Sequence, residues 1–180
     1  MTAEERLPYG KGVFRRRFLL RRTAPGRVVA DMEDDFHRFR VFLEHDGRAV
    51  GGIRAEAIRY PWTQCPGATL PLKALVGMPL SLRSTAVGGH TNPRANCTHL
   101  FDLAGLAVSH AAADRERRLY DIAVPDRVGG VGGRTRAQLH RDGELILDWR
   151  VEGERIAQPP PFEGVVMRGS KFLRWAESEL

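Results

Sequence analysis

The chain has 180 residues, 42% hydrophobic and 28% charged, with a formal net charge of +6. That length suits one domain and a core that can form without disulfides. No apolar run approaches the ~20 residues needed to span a bilayer. The opening Met1-Thr-Ala-Glu-Glu-Arg-Leu-Pro lacks the basic-then-apolar order of a signal peptide. The expected location is the cytoplasm. There, two cysteines are expected to bind a metal, react or be buried rather than form a bridge.

From Val13 to Arg22 the chain alternates loosely and reads as a strand, with Phe14, Phe18 and Leu20 on one face. Much of the positive charge lies here and just beyond, on Arg15, Arg16, Arg17, Arg21, Arg22 and Arg27. Such a patch suits an anionic small molecule or an acidic partner protein. Nucleic acid is the weaker reading, because no nucleic-acid-binding motif accompanies the charge. A solvated strand face is the plain alternative. Ala24-Pro25-Gly26 turns the chain, and Val28 to Asp31 opens a second strand. The clearest strand runs from Phe36 to His45, with Asp35, His37, Phe39, Val41, Leu43 and His45 on one face. Asp46-Gly47 is a hairpin signal, and the return strand spans Val50 to Tyr60.

A helix is expected from Pro66 to Val76, then a loop from Val87 to Arg94. A second helix is expected from Thr98 to about Ala113, with an apolar stripe of Leu100, Leu103, Ala104, Ala107, Val108 and Ala111. Arg118 to Val124 reads as a strand, and the glycine-rich Asp126–Gly133 as a flexible connection or lid. Thr135–His140 and Leu145–Val151 flank Asp142-Gly143 as a second hairpin. Gln158-Pro-Pro-Pro161 is a stiff spacer before a short helix over Lys171–Glu179. This order predicts an α+β fold, an antiparallel sheet with helices packed on one face. The expected organisation is a tail over 1–12, one α+β domain over 13–157, and a spacer with a helix over 158–180.

The chemistry centres on two cysteines, each at the start of an expected helix. Cys65 precedes Pro66-Gly67-Ala68 and Cys97 precedes Thr98-His99-Leu100. Unpaired N–H groups and the helix dipole favour negative charge there, hence thiolate over thiol. Asp35 and His37, two residues apart in a strand, point to one face and need partners or a metal at the end of a core-facing row. Asp35, His37, Cys65 and Cys97 are therefore candidate ligands of one zinc or iron ion. Whether Asp34 or Asp35 faces that way is open, since a one-residue shift turns the strand over. The plain alternatives are buried apolar cysteines and a salt-bridged Asp–His pair. His90 and His99 are candidate acid/base groups, His99 at the entrance because two helical positions point about 200° apart. Arg16 and Arg94 are candidate contacts for an anionic substrate.

Asp34-Asp-Phe-His37, Arg59-Tyr-Pro-Trp-Thr-Gln-Cys-Pro-Gly-Ala68, Leu75-Val-Gly77 and Cys97-Thr-His-Leu-Phe-Asp-Leu103 resemble the bacterial family catalogued as domain of unknown function 2889, over roughly Arg15 to Ala113. That resemblance implies no activity. The element order is also distantly similar to the iron–sulfur scaffolds of the IscU/NifU type. This likeness sets a scaffold-like core at about 28–114 and a β-hairpin extension at about 118–152. It matches Cys65 and Cys97 to two scaffold cysteines, and Asp35-x-His37 to the scaffolds' Cys-x-Asp pair. Asn96 stands where those proteins usually carry histidine. A single zinc or iron ion is then the expected cofactor, ahead of a cluster. The expected function is a metal-dependent enzyme acting on an anionic small molecule. The alternatives are a non-catalytic metal or cluster delivery protein and a basic adaptor.

Overall fold

A computed structural model describes residues 12–129 and 132–168. The fold is α+β, built from eight strands, antiparallel in each hairpin, with a few helices. The described residues form two compact units, Arg16–Tyr120 and a second that joins those from Asp121 onward to those before Arg16. Among the described residues no helix is long and apolar enough to cross a membrane.

In the first unit β1 (Val13–Ala24), β2 (Arg27–Asp34), β3 (Arg38–His45) and β4 (Val50–Arg59) form an antiparallel meander in the order β4-β3-β2-β1. Two of its three turns are Pro25-Gly26, with Gly26 at φ +71°, and Asp46-Gly47, with Gly47 at φ +87°. A Cβ at Gly26 would lie 2.5 Å from the His45 carbonyl oxygen, so that turn requires glycine twice over. Alternation along the strands sends Phe18 and Leu20, Val28, Ala30 and Met32, and Phe39, Val41 and Leu43 to one face, all buried. Helix α2 (Thr98–Ala112) packs on β2 and β3 through Leu100, Leu103, Ala104, Ala107, Val108 and Ala111, the expected stripe. Burying a side chain such as Phe39, 0% exposed, contributes about 1.5–3 kcal/mol. At Gly105 a Cβ would lie 2.3 Å from the Ser84 carbonyl oxygen, so only glycine permits that approach.

The segment after β4 differs from the expected helix over Pro66–Val76. It is a 3-10 helix over Gly67–Leu75 with Pro66 at its N-cap and Pro71 inside. Pro71 lacks an N–H and its ring clashes with the carbonyl four residues back, which denies the segment α-helical bonding. Cys65 thus precedes the N-cap instead of occupying it. The expected loop over Val87–Arg94 holds a single helical turn, α1 (Val87–His90), and begins the 3-10 turn Pro93–Ala95.

β5 (Arg117–Pro125) starts in the first unit and ends in the second. There β6 (Arg134–Arg141), β7 (Glu144–Glu152) and β8 (Arg155–Gln158) continue as antiparallel neighbours. The Asp142-Gly143 hairpin is present, with both residues at positive φ. β8 was not anticipated, and it runs up to Gln158, where the proline spacer begins. Val128, in the glycine-rich segment, forms an isolated bridge with Arg134, the first residue of β6. The expected helix over Lys171–Glu179 lies outside the described residues.

Candidate metal centre

The site lies where β2 ends, β3 begins and α2 starts. Asp34 follows Met32 on the inward face of β2, and its side chain is 1% exposed. The chain then turns through Asp35-Phe36-His37 before β3 begins at Arg38. Asp34 Oδ1 organises that turn, accepting from the Phe36 N–H at 2.9 Å, the His37 N–H at 2.8 Å and His37 Nδ1 at 3.0 Å. Asp34 Oδ2 accepts from Arg16 Nε at 3.1 Å and Nη2 at 2.8 Å. Arg59 clamps the same turn, donating to the carbonyls of Asp34 and Asp35. Burial by itself raises the Asp34 carboxyl pKa. The Phe36 and His37 N–H groups, Arg16 and the His37 ring outweigh it, and the net pKa is lowered.

His37 bonds Asp34 through Nδ1, which directs its Nε2 away from that carboxylate. Its ring stacks on His99, centroids 4.1 Å apart, and lies 5.5 Å from the Phe39 ring. His99, in the first turn of α2, is held below its ordinary pKa by burial, then by His37 and Arg16, with Asp34 opposing. Its neutral form, the one able to bind a metal, is favoured. Asp34, His37 and His99 each offer a ligand atom, and these atoms lie within 4.8 Å of one another.

Cys97 is the N-cap of α2, with φ −66° and ψ 126°, and its side chain makes no capping bond. Its Sγ lies 3.9 Å from His99 Nδ1. The 200° separation expected from helical spacing does not apply, because Cys97 is not helical. Two ligands of one tetrahedral zinc, at bond lengths near 2.3 Å for sulfur and 2.0–2.1 Å for nitrogen, stand about 3.5 Å apart. One turn beyond His99, Asp102 keeps an exposed surface. Desolvation nevertheless raises its carboxyl pKa, with Arg16 pulling the other way.

The structure therefore gathers His37 and His99 with Asp34, and sets Cys97 beside His99. Asp35 is half-buried in the turn, and the carboxylate that meets His37 is its neighbour. Cys65 is half-buried in the turn before the 3-10 helix, its N–H bonded to the Trp62 carbonyl; among the described residues neither it nor Cys97 belongs to a group of three side chains able to hold an ion together. His90 ends α1, exposed. Arg94 is exposed on the Pro93–Ala95 turn, whereas Arg16 directs its guanidinium to Asp34. The sequence left the choice between Asp34 and Asp35 open, because it placed both before a third strand and gave the second only its start at Val28 to Asp31. The signal was available in Val28-x-Ala30-x-Met32-x-Asp34, an alternation that carries the apolar row to the carboxylate.

No curated protein matches the chain. The profile of one family, "Protein of unknown function (DUF2889)", matches residues 21–113, a span that holds β2, β3, α2 and the Asp34, His37, Cys97 and His99 side chains. The chain belongs to the DUF2889 family.

Proposed function

We propose that the protein is a metal-dependent enzyme that holds one zinc or iron ion between His37 and His99, with the Cys97 thiolate as third ligand, and acts on a small anionic substrate. The observation that carries the reading is the Asp34–His37–His99 cluster. Asp34 already accepts five hydrogen-bond donors, so its part is that of the outer carboxylate that fixes the tautomer of a ligating histidine. Three protein ligands leave a fourth position for water or substrate, the pattern of catalytic rather than structural zinc. The bound ion would supply Lewis acidity and a water of lowered pKa. An anion there would face the first N–H groups of α2, which no side chain caps. Arg94, in the turn before that helix, adds a cation.

Delivery of a metal or cluster is the weaker reading. Iron–sulfur clusters are commonly held by four thiolates, and the chain has two cysteines. The His37 side chain, 14% exposed, suits retention better than release.

Metal analysis of anaerobically purified protein, followed by cobalt(II) substitution, tests the reading. About one ion per chain is expected. His37→Gln and His99→Gln should lose it, and Cys97→Ser should abolish a thiolate-to-cobalt charge-transfer band. Absence of metal binding by the intact chain would end the proposal. Retention of the band in Cys97→Ser would remove Cys97 from the ligand set.

A further inference from the structure

The inner strands of the first unit's meander have a neighbour on both sides, and their charges are met from both. Asp31 and Glu33, outward on β2, are only 8% and 5% exposed, because Arg21 of β1, Arg40 of β3 and Arg59 of β4 reach over them. β4 ends the strand order and has a neighbouring strand on one side only. Its other side is the edge of the sheet.

The backbone of β3 fixes which groups of β4 lie on that edge. The His37 carbonyl accepts from the Asp34 N–H, and the His45 N–H donates to the Gly26 carbonyl, so the odd-numbered residues from His37 to His45 point to β2. The even-numbered ones point to β4, where the register sets Arg40 opposite Glu56 and Phe42 opposite Arg54. Arg54 and Glu56 therefore bond β3, while the N–H and C=O groups of Ile53, Ala55 and Ala57 face outward. Among the described residues no hydrogen bond reaches these outward groups. The edge is paired at its start, where Val50 bonds Gly77 and Met78. Ala55 and Ala57 are half-buried, and Arg54 and Glu56 are exposed.

We infer that β4 pairs with β4 of a second copy of this chain, antiparallel about a twofold axis at Ala55. An unpaired strand edge is a template for another strand, and a twofold interface needs a surface complementary to itself. Arg54-Ala55-Glu56 has that property. With Ala55 opposite Ala55, each Arg54 lies directly across from the second copy's Glu56 on one face of the joined sheet. Ala55 with Ala55, and Ile53 with Ala57 in both directions, become pairs that each exchange two backbone bonds. Moving the axis one residue, to Arg54 or to Glu56, sets like charges opposite each other. The lengths agree too. β4 of the second copy ends at Arg59, opposite Gly51, one residue short of Val50 with its bonded edge. Arg54 already bonds its own Glu56 at 2.9 Å and lies over the Phe42 ring. That pair persists in the dimer: the backbone supplies the attraction, and the charges choose the register. The inference is independent of the metal centre.

Sedimentation velocity on the full chain over a wide range of concentration tests it, with circular dichroism as the check on folding. The wild type should show a concentration-dependent monomer–dimer equilibrium. Ala55→Pro removes an outward N–H, a change that an edge strand tolerates, and should abolish the dimer with the fold intact. Glu56→Arg sets arginines opposite each other across the axis and should weaken dimerisation about tenfold. Exchanging the two charges, Arg54→Glu with Glu56→Arg, makes the edge self-complementary again and should recover the dimer. His99→Gln should dimerise as the wild type does, which separates this edge from the metal centre. A monomer at every concentration, a dimer indifferent to Ala55→Pro, or a double variant no better than Glu56→Arg alone would each overturn the proposal.

Discussion

Two arginine–aspartate pairs, one in each unit, show how far environment outweighs chemistry. Arg16 and Asp34 join across β1 and β2; Arg136 and Asp148 join across β6 and β7, both arginines donating through Nε and Nη2. In both, the aspartate carboxyl is held below its ordinary pKa. The Asp34 side chain is 1% exposed and also anchors a turn and a histidine, whereas the Asp148 side chain is 30% exposed and its partner 55%. The first pair is bound into the core and the candidate centre. The second is a surface pair that water can replace.

Breaking the buried pair should have the largest effect. Asp34→Ala leaves Arg16, 21% exposed, without its carboxylate, and frees the Phe36 and His37 N–H groups. A loss of about 3–5 kcal/mol is expected in urea unfolding. Asp34→Asn keeps the shape and should lose less. Because the folded pKa lies below the unfolded value near 3.9, this stabilisation is complete above that value and disappears as pH falls through the folded pKa. Acid unfolding of the wild type should therefore steepen below about pH 4, and Asp34→Asn should remove that portion of the curve. A stability within error of wild type for Asp34→Ala would break the comparison.

Metal should come next. If His37 and His99 hold zinc, free zinc at a hundred times its dissociation constant stabilises the fold by about 2.7 kcal/mol. Thermal unfolding with and without a chelator should show that gap in the wild type and lose it in His99→Gln. Arg136→Gln, in the other unit, should leave it intact.

A buried titratable group without a carboxylate sharpens the contrast. His110 is 4% exposed, its Nε2 has no hydrogen-bond partner, and Arg115 and Arg118 face it. Burial first and then those two arginines lower its pKa, against backbone bonds at Glu116 and Arg115. The unfolded chain therefore takes up the proton first, and stability should fall as pH drops below about 6.5. His99 shares the direction, so His110→Leu should remove only part of that slope. This window lies well above that of Asp34, so a single pH titration separates them.

The sequence carried the parts of the fold that depend on local pattern. The stripe of α2, the turns at Asp46-Gly47 and Asp142-Gly143, and the alternation of Phe39, Val41 and Leu43 were all legible, because periodicity and turn chemistry act over a few residues. What escaped depended on a neighbour. Asp34 and Asp35 are told apart only by where β2 ends and β3 begins, which Arg59 helps decide by clamping the turn from β4. Cys65 stands at the start of an expected helix because Pro66 suits a first helical position, but Pro71 makes that segment a 3-10 helix with Pro66 as its N-cap. His99 and Cys97 meet because the N-cap departs from helical geometry, which residue counting does not reveal. The coverage of Asp31 and Glu33 by arginines needs three strands in register and was likewise invisible.

The surface pair supplies the smallest expected effect and the strictest control. Asp148 is drawn to Arg136 in the structure, but solvent reaches both groups and screens them, and the side chains lose entropy when held together. Exposed pairs of this kind often contribute nothing measurable. Arg136→Gln and Asp148→Asn should therefore unfold with the wild-type midpoint, and raising salt should leave that midpoint unmoved by either substitution. A clear loss in either would mean that the β6–β7 hairpin depends on the pair. The buried trio of Arg16, Asp34 and His37 would then differ from its surface counterpart in degree only, and burial would no longer account for the contrast between the two units.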